Sequence, residues 1–403
     1  MAERHNLKGI HIMPLQAKAV FDRLCQWPHR GVGSEEEMEA RETLITILTG
    51  EFDVDITEEG FDAPPSYLRF FWLTAFIVSA AVMGANLMPA IMMLLGSLGF
   101  ISFFLFMDWR VSPLIWWGAQ KTTANLVASK GQGTRLFILM AHLDSAPASF
   151  AYRPGQVRNF KTSVYITTGL MSLGIIVPVI VGLGGNVDVV TRLVIVGLIM
   201  SAQLAASVDF WRLGYVPGAN DNLTGVSAAV SAASHLWRHM PDNAEVRLVI
   251  TSAEEAGMLG AQHYWQTHRD ELKGRDTYVI NLDTVGCQNL KYIEKSGGFT
   301  RVEYNNILTN TADGIKAGNE NFAAVEPGVH HVGDFDSVWF VRDGIKAVTL
   351  ASYDQFGHMT AIHTAEDTAE KINHGTVALA AKFAEIIVRM IPQNIRAKNP
   401  EVQ

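Results

Sequence analysis

Several largely apolar runs along this chain lead to an acidic or imidazole side chain. Leu136-Phe137-Ile138-Leu139-Met140-Ala141 ends in His142-Leu143-Asp144. Residues 245–251 lead to Ser252-Ala253-Glu254-Glu255, and residues 276–282 lead to Asp283. Runs of this kind mark strands buried on both faces of a parallel sheet. Residues 345–350 read as a last core strand, and 52–57 and 121–128 as further strands. Helical spacing predicts helices over 15–27, 226–240, 301–315, 336–341 and 371–391, with another following Gly257 as far as 271. Ser34 and Glu37 have capping-box spacing at the head of a helix running to 48. The expected fold is α/β, a mostly parallel central sheet with helices on both faces.

Two long stretches follow neither pattern. Residues 70–107 contain no charged side chain, and Gly84, Asn86 and Pro89 break the run near its middle. A membrane helix needs about 17–25 apolar residues, so this stretch suits two spans joined by a turn. Trp72, Trp109, Trp116 and Trp117 lie near its ends, where interfacial aromatics collect. Residues 164–183 and 189–208 repeat the arrangement around Gly184-Gly185-Asn186-Val187-Asp188, with Arg192 placed to snorkel. The domain reading is therefore a polar domain in three pieces, 1–68, 109–162 and 209–403, interrupted by transmembrane hairpins at 69–108 and 163–208. Four spans put both tails and the 109–162 segment on one side. Arg69, Arg110, Lys121, Arg153, Arg158, Lys161 and Arg212 all fall on that side. The positive-inside rule then predicts a multi-pass protein of the cell (inner) membrane with its polar domain facing the cytoplasm.

Composition narrows the choice. Of 403 residues, 48% are hydrophobic and only 18% charged, the formal net charge is -8, and the mean hydropathy is +0.14. An acidic balance with no basic face excludes nucleic acid as an expected partner. Cys25 and Cys287 give no disulfide framework. Residues 1–16 lack the apolar core of a signal peptide, so the N-terminus is expected to stay on the side where it is made. Length leaves the oligomeric state open.

In open α/β sheets, chemistry collects beyond the carboxyl ends of the strands. Here those ends carry His142, Glu254-Glu255 and Asp283, and two polar loops add Asp221 and His363. Nitrogen and oxygen ligands of this mixture suit zinc or a related divalent cation. Five ligands exceed what one catalytic zinc with an open position needs, and suit two ions sharing a carboxylate and a water. Taken singly, each has a blander explanation: Asp221 as a helix cap, the glutamates as surface carboxylates, His363 as a loop donor.

Five segments, in order, carry a specific likeness: Ala141-His142-Leu143-Asp144-Ser145, Gly218-Ala219-Asn220-Asp221-Asn222, Ser252-Ala253-Glu254-Glu255-Ala256-Gly257, Asn281-Leu282-Asp283-Thr284-Val285-Gly286 and His363-Thr364-Ala365-Glu366-Asp367-Thr368. Together they resemble the M28 family of zinc aminopeptidases and related hydrolases, over roughly residues 15–60, 120–150 and 215–390 and excluding both hairpins. The resemblance implies two zinc ions. It pairs His142 with Glu255 on one, Asp283 with His363 on the other, and makes Asp221 the bridge. It makes Glu254 the proton shuttle, Asp144 the carboxylate behind His142, and the Asp221–Asn222 peptide cis. From spacing, Asp367 is expected to hold the His363 loop. Asn220 stands where the family usually has aspartate, and Thr224 where it often has serine. The implied activity is hydrolysis of an amide or ester bond to an amino acid. The second hairpin lies between His142 and Asp221, which suggests a substrate reached from the bilayer: a peptide, or an aminoacylated or lipid-linked small molecule. Two alternatives remain open, a single-zinc glutaminyl-cyclase-like acyltransferase and a non-enzymatic metal-stabilised membrane scaffold. For a substrate ammonium group, Glu326, Asp334, Asp336, Asp354, His330, His331 and His358 are candidates by position only.

Overall fold

The computed structural model describes residues 15–391 except 332 and 360; the polar stretch to residue 14 and the tail from 392 lie outside the described residues. Strand β1 spans Asp55–Ala63, β2 Lys121–Lys130, β3 Arg135–His142, β4 Ala244–Thr251, β5 Asp276–Asp283, β6 Asn289–Ser296, β7 Val302–Glu303, β8 Glu326–Val329 and β9 Lys346–Tyr353. They form one sheet in the order β1-β2-β4-β3-β5-β9-β6-β7, with β8 beside β6. The middle, β4-β3-β5-β9, is parallel. Its flanks β1-β2-β4 and β9-β6-β7 are antiparallel. The sheet is therefore mixed rather than mostly parallel. The sequence pattern marks the central strands and, through 52–57 and 121–128, parts of β1 and β2, but not β6, where charged Lys291, Glu294 and Lys295 interrupt buried Leu290, Tyr292 and Ile293. Strand β7 also claims the start of the helix expected from residue 301, which instead begins at Ile307.

Alternation along β3 serves two cores. Phe137, Leu139 and Ala141 face one layer, where helices α1 (Ala17–Leu24), α2 (Glu35–Glu51), α7 (Gly225–Arg238), α9 (Ile307–Gly318) and α11 (His374–Met390) pack. Leu136, Ile138 and Met140 face the other, built with α8 (Leu259–Gly274) and α10 (Val338–Arg342). Ser34 caps α2 by accepting the Glu37 N–H at 3.1 Å, while the Glu37 carboxylate turns back to the Gly33 N–H at 2.6 Å.

Both long apolar stretches form helical pairs: α3 (Leu68–Gly84) with α4 (Pro89–Met107), and α5 (Phe160–Gly182) with α6 (Val189–Leu213). Three of these, α4, α5 with the turn before it, and α6, are long and apolar enough to cross a membrane, whereas α3 has 17 residues. The four pack on one another through Ala75, Val78, Phe103, Met171 and Ile199. Backbones approach closely where α4 meets α5: a Cβ on Gly96 would lie 1.8 Å from the Gly174 carbonyl oxygen. Small residues at such crossings are typical of helices packed without a hydrophobic drive between them. The outward faces stay apolar, with Leu94, Leu98, Ile180, Val194 and Leu198 all exposed.

The bundle is fastened to the sheet domain. At the end of α4, the Asp108 carboxylate accepts the Thr300 N–H at 2.7 Å and its hydroxyl at 2.9 Å. Arg342 donates to the Asp108 and Trp109 carbonyls. Arg153 pairs with Asp209 of α6 at 2.6 Å. Phe106 of α4 lies against Gly257, where φ is +125° and a Cβ would come within 2.9 Å of the ring. This glycine lets the hairpin reach the back of the Glu254-Glu255 loop.

Candidate metal centre

Strands β3, β4 and β5 deliver His142, the Glu254-Glu255 loop and Asp283 to one edge of the sheet. Asp221 sits between them, and each of its oxygens faces an imidazole. Oδ1 lies 3.1 Å from His142 Nε2 and Oδ2 lies 3.2 Å from His363 Nε2. His142 Nε2 is also 3.8 Å from Asp283, and His363 Nε2 is 3.4 Å from Glu255. The geometry thus divides the outer residues as His142 with Asp283 and His363 with Glu255, unlike the pairing expected from the resemblance. His142, Asp221 and Glu255 present ligand atoms within 4.8 Å of one another. Glu254 stands beside them, 4.0 Å from His142 Nε2. The Asp221–Asn222 peptide is cis.

Asp144 does more than stand behind His142. Its main-chain carbonyl lies 3.1 Å from His142 Nδ1, closer than its carboxylate at 3.6 Å. The carboxylate instead accepts the N–H groups of Glu254 and Glu255 at 3.1 and 3.0 Å. One residue thereby sets the ring of His142 and the loop of both glutamates. Asp367 likewise holds the bridging loop, not its own: it accepts the Asn220 and Asp221 N–H groups at 2.7 and 3.1 Å. Asn220 receives the Gly286 N–H at 2.9 Å, and Thr224 Oγ1 receives that of Val285 at 3.0 Å. The two departures from the family pattern thus join the bridging loop to the end of β5. Ala253, Thr284 and His363 have positive φ, the left-handed backbone that costs such residues about 1–3 kcal/mol and concentrates at functional sites.

Sequence reasoning missed several supporting groups. Arg30 is fully buried and donates to the carbonyls of Leu143, Pro217 and Gly218 at 2.8 Å each, binding the β3 end to the bridging loop. Buried Glu37 accepts from Ser252, two residues before Glu254, and from Thr123 at 3.0 Å. The Tyr152 ring stacks on His363 at 4.1 Å. These residues sit in unpatterned loops or on an acidic helix face, and only tertiary packing gives them a role. Of the candidates for an ammonium partner, Asp334, His330, His331 and His358 line the cavity over the centre. Asp336 is buried and accepts from Thr251 at 2.5 Å. Asp354 caps its own loop through the His358 N–H, and Glu326 pairs with Lys291 at the surface.

The donor set fits divalent cations. Asp221, Glu254, Glu255 and Asp283 crowd together with only two imidazoles among them, and buried charge of one sign is stable only when compensated. Burial, aided by neighbouring carboxylates, pushes Glu254 and Glu255 well above the ordinary range and Asp283 to about 6. Asp221 escapes this: burial would raise it, but His142 and His363 hold it below the usual carboxylate range. Among buried atoms, Glu255 Oε1 and His363 Nδ1 have no hydrogen-bond partner among the described residues.

The fold is similar to those of solved structures described as a Zn-dependent exopeptidase and as glutaminyl cyclases. The structure is similar to a leucine aminopeptidase precursor from Bacteroides thetaiotaomicron, with 15% identity over 95% of this chain and 100% of that one and a TM-score of 0.54. A glutaminyl cyclase from the same organism gives 16% identity, the same coverages and a TM-score of 0.55. In sequence, residues 203–388 match the model of peptidase family M28. Aminopeptidase YwaD of Bacillus subtilis is 38% identical over 198 residues, which are 45% of this chain and 41% of that protein. The chain therefore spans less than half the length of the curated relatives it matches. By sequence and fold it is similar to zinc metallopeptidases of the aminopeptidase kind.

Proposed function

We propose that this chain is a membrane-anchored, two-zinc hydrolase of the aminopeptidase type. It would cleave an amide or ester bond between an amino acid and an apolar or lipid-linked remainder. One observation carries the reading: the two oxygens of Asp221 face His142 and His363 separately, with Asp283 and Glu255 beyond them and Glu254 alongside. His142, Asp283 and one Asp221 oxygen would hold one ion. His363, Glu255 and the other Asp221 oxygen would hold the second. Bound divalent ions supply Lewis acidity toward the scissile carbonyl and lower the pKa of the attacking water.

The protein's own part is to move a proton and keep the geometry. Glu254 accepts a proton from the attacking water and returns it to the departing nitrogen or oxygen. Its burial suits this, because a carboxylate raised above its ordinary range is a stronger base. Asp144 keeps Glu254 and Glu255 in register, and Arg30 and Asp367 fix the bridging loop. Replacing Glu254 by Gln should lower kcat about 100- to 10,000-fold with metal content unchanged by elemental analysis; undiminished turnover would remove Glu254 from this role. The same measurement on the wild type separates a single-zinc cyclase from the two-ion reading, which the symmetric exposure of Asp221 favours. A scaffold would have no use for a proton shuttle beside its ligands.

The apolar outer faces of α3 to α6 support insertion in a bilayer as two hairpins. At about 1.5 Å per residue, α3 reaches about 25 Å, at the short end of what a span requires. Its packing within the bundle favours counting it as the fourth. The charge distribution around the spans favours a cytoplasmic sheet domain.

A further inference from the structure

The cavity over the metal centre, about 930 Å³, does not stop at the catalytic loops. It continues between the apolar helices, where Phe71 of α3, Phe103 and Met107 of α4, Leu170 of α5, and Ala202 and Ala206 of α6 line it. All four helices contribute to its wall. This places one continuous volume in contact with both the carboxylates at the strand ends and the interior of the bundle.

Gln203 lies on the same wall between Ala202 and Ala206. It is 2% exposed and lines the cavity, and its side chain has no hydrogen-bond partner among the described residues. A polar side chain facing a cavity inside an apolar bundle usually marks a functional site. Neither Glu254 nor any of the metal-ligating candidates needs it.

We infer that the helix-lined part of the cavity binds a hydrocarbon chain on the leaving-group side of the substrate, and that Gln203 meets one polar group, an ester or amide linkage, within that chain. The inference rests on the hydrolase reading for its chemistry, since the amino-acid end must lie at the metal centre for the rest to extend between the helices. The lining decides between a hydrocarbon and a peptide. Polar lining from α5 comes from its first turns, Lys161, Ser163, Tyr165 and Thr167, and beyond them the wall is Phe71, Phe103, Leu170, Ala202 and Ala206 with Gln203. A peptide reaching there would bring an N–H and a C=O at every residue past walls that match few of them, and each unmatched group would be penalised. An alkyl chain carries no such groups. In the reaction, the water's hydroxyl joins the acyl carbon and the carbon–nitrogen bond breaks. The proton held by Glu254 goes to the leaving nitrogen, giving a free amino acid and a long-chain amine.

The test uses full-length protein in phosphatidylcholine nanodiscs and leucyl alkylamides from two to twelve carbons. Ala206→Trp fills the helix-lined part, far from the ligands in sequence. The ratio of kcat/KM for wild type over Ala206→Trp should be near one for the ethylamide and grow with chain length, by up to about fourfold per methylene. Comparing variants in the same bilayer cancels partitioning. A ratio that stays flat while wild type hydrolyses every member would overturn the chain site and leave the hydrolase reading intact. Ala202→Leu repeats the comparison with a smaller intrusion should the tryptophan disturb folding. For Gln203, a series with an ester at successive chain positions should contain one member preferred about tenfold over the plain chain, a preference that Gln203→Leu abolishes. No preferred member would remove Gln203 from the assignment.

A readout independent of turnover is photo-crosslinking. A leucyl dodecylamide with a diazirine at its tail should label the cavity-facing residues of α5 and α6, and Ala206→Trp should suppress that labelling. Labels confined to outward residues such as Leu94 and Leu198 would refute the site even in protein that hydrolyses nothing. Cavity labelling without any hydrolysis would support the chain site and count against the hydrolase.

Discussion

The sheet domain and the four-helix bundle solve opposite problems. In the sheet domain apolar side chains are inside, and the buried charges are few, clustered and tied by named hydrogen bonds. In the bundle the outward faces are apolar, and the inward contacts use glycines, alanines and an unpartnered glutamine. Stability in the first depends on compensating charge, and in the second on close backbone approach. The two regions meet along the cavity, at fastenings such as Asp108 with Thr300 and Arg153 with Asp209, and where Phe70 and Phe106 pack against Ala253, Ala256 and Leu259. Perturbations should therefore act on one region and largely spare the other.

The largest separation is expected from metal removal. Chelation should abolish turnover and destabilise the sheet domain by several kcal/mol, because the clustered carboxylates lose their counter-charge. Thermal unfolding followed by tryptophan fluorescence and by helical circular dichroism should show the sheet transition falling while bundle helicity persists. A single transition that ignores the chelator would break the comparison.

Next in size is Arg30→Met. It leaves the Leu143, Pro217 and Gly218 carbonyls without their donor and the neighbouring acids without a cation, at a cost of about 3–5 kcal/mol. A urea midpoint unchanged from wild type would contradict the role given to Arg30.

Glu37 offers a pH-dependent version. Burial, aided by Asp144, pushes it up to about 7. A carboxyl raised in the folded state favours folding below its unfolded pKa, near 4.5, and that contribution disappears as pH rises through 7. Wild type should thus lose on the order of 3 kcal/mol between pH 4.5 and 8 that Glu37→Gln does not lose. Parallel stability profiles for the two proteins would refute it.

The smallest effect is expected within the bundle. Gly96→Val forces α4 from the Gly174 carbonyl and should cost about 1–3 kcal/mol. It would lower the detergent midpoint of helix dissociation while leaving hydrolysis of a short soluble amide within twofold of wild type.

What the sequence made legible follows the same division. The central strands were visible because apolar runs stop at His142, Glu254 and Asp283, a chemical punctuation that needs no partner to be read. The long apolar helices were visible for a similar reason. Strand β6 was not, because charged residues interrupt its apolar pattern, and β7 and β8, of 2 and 4 residues, are too short to show one. At the site, the motifs indicated which residues gather but not how they pair. The approach of His142 to Asp283 and of His363 to Glu255 depends on how loops from distant strands pack. Asp367 illustrates this: adjacent in sequence to the His363 loop, it serves the Asp221 loop across the site. Arg30 carried no signal, since one arginine in a polar loop resembles any surface residue until the carbonyls around it are seen.

The excursion between His142 and Asp221 has a consequence for how the protein matures. The chain leaves the site at the end of β3, travels through α5 and α6, and returns to supply the central carboxylate. The halves of the centre cannot meet until that detour is complete. On the function proposed above, a newly made chain whose second hairpin strays would keep its histidine and aspartate apart and would be born inactive.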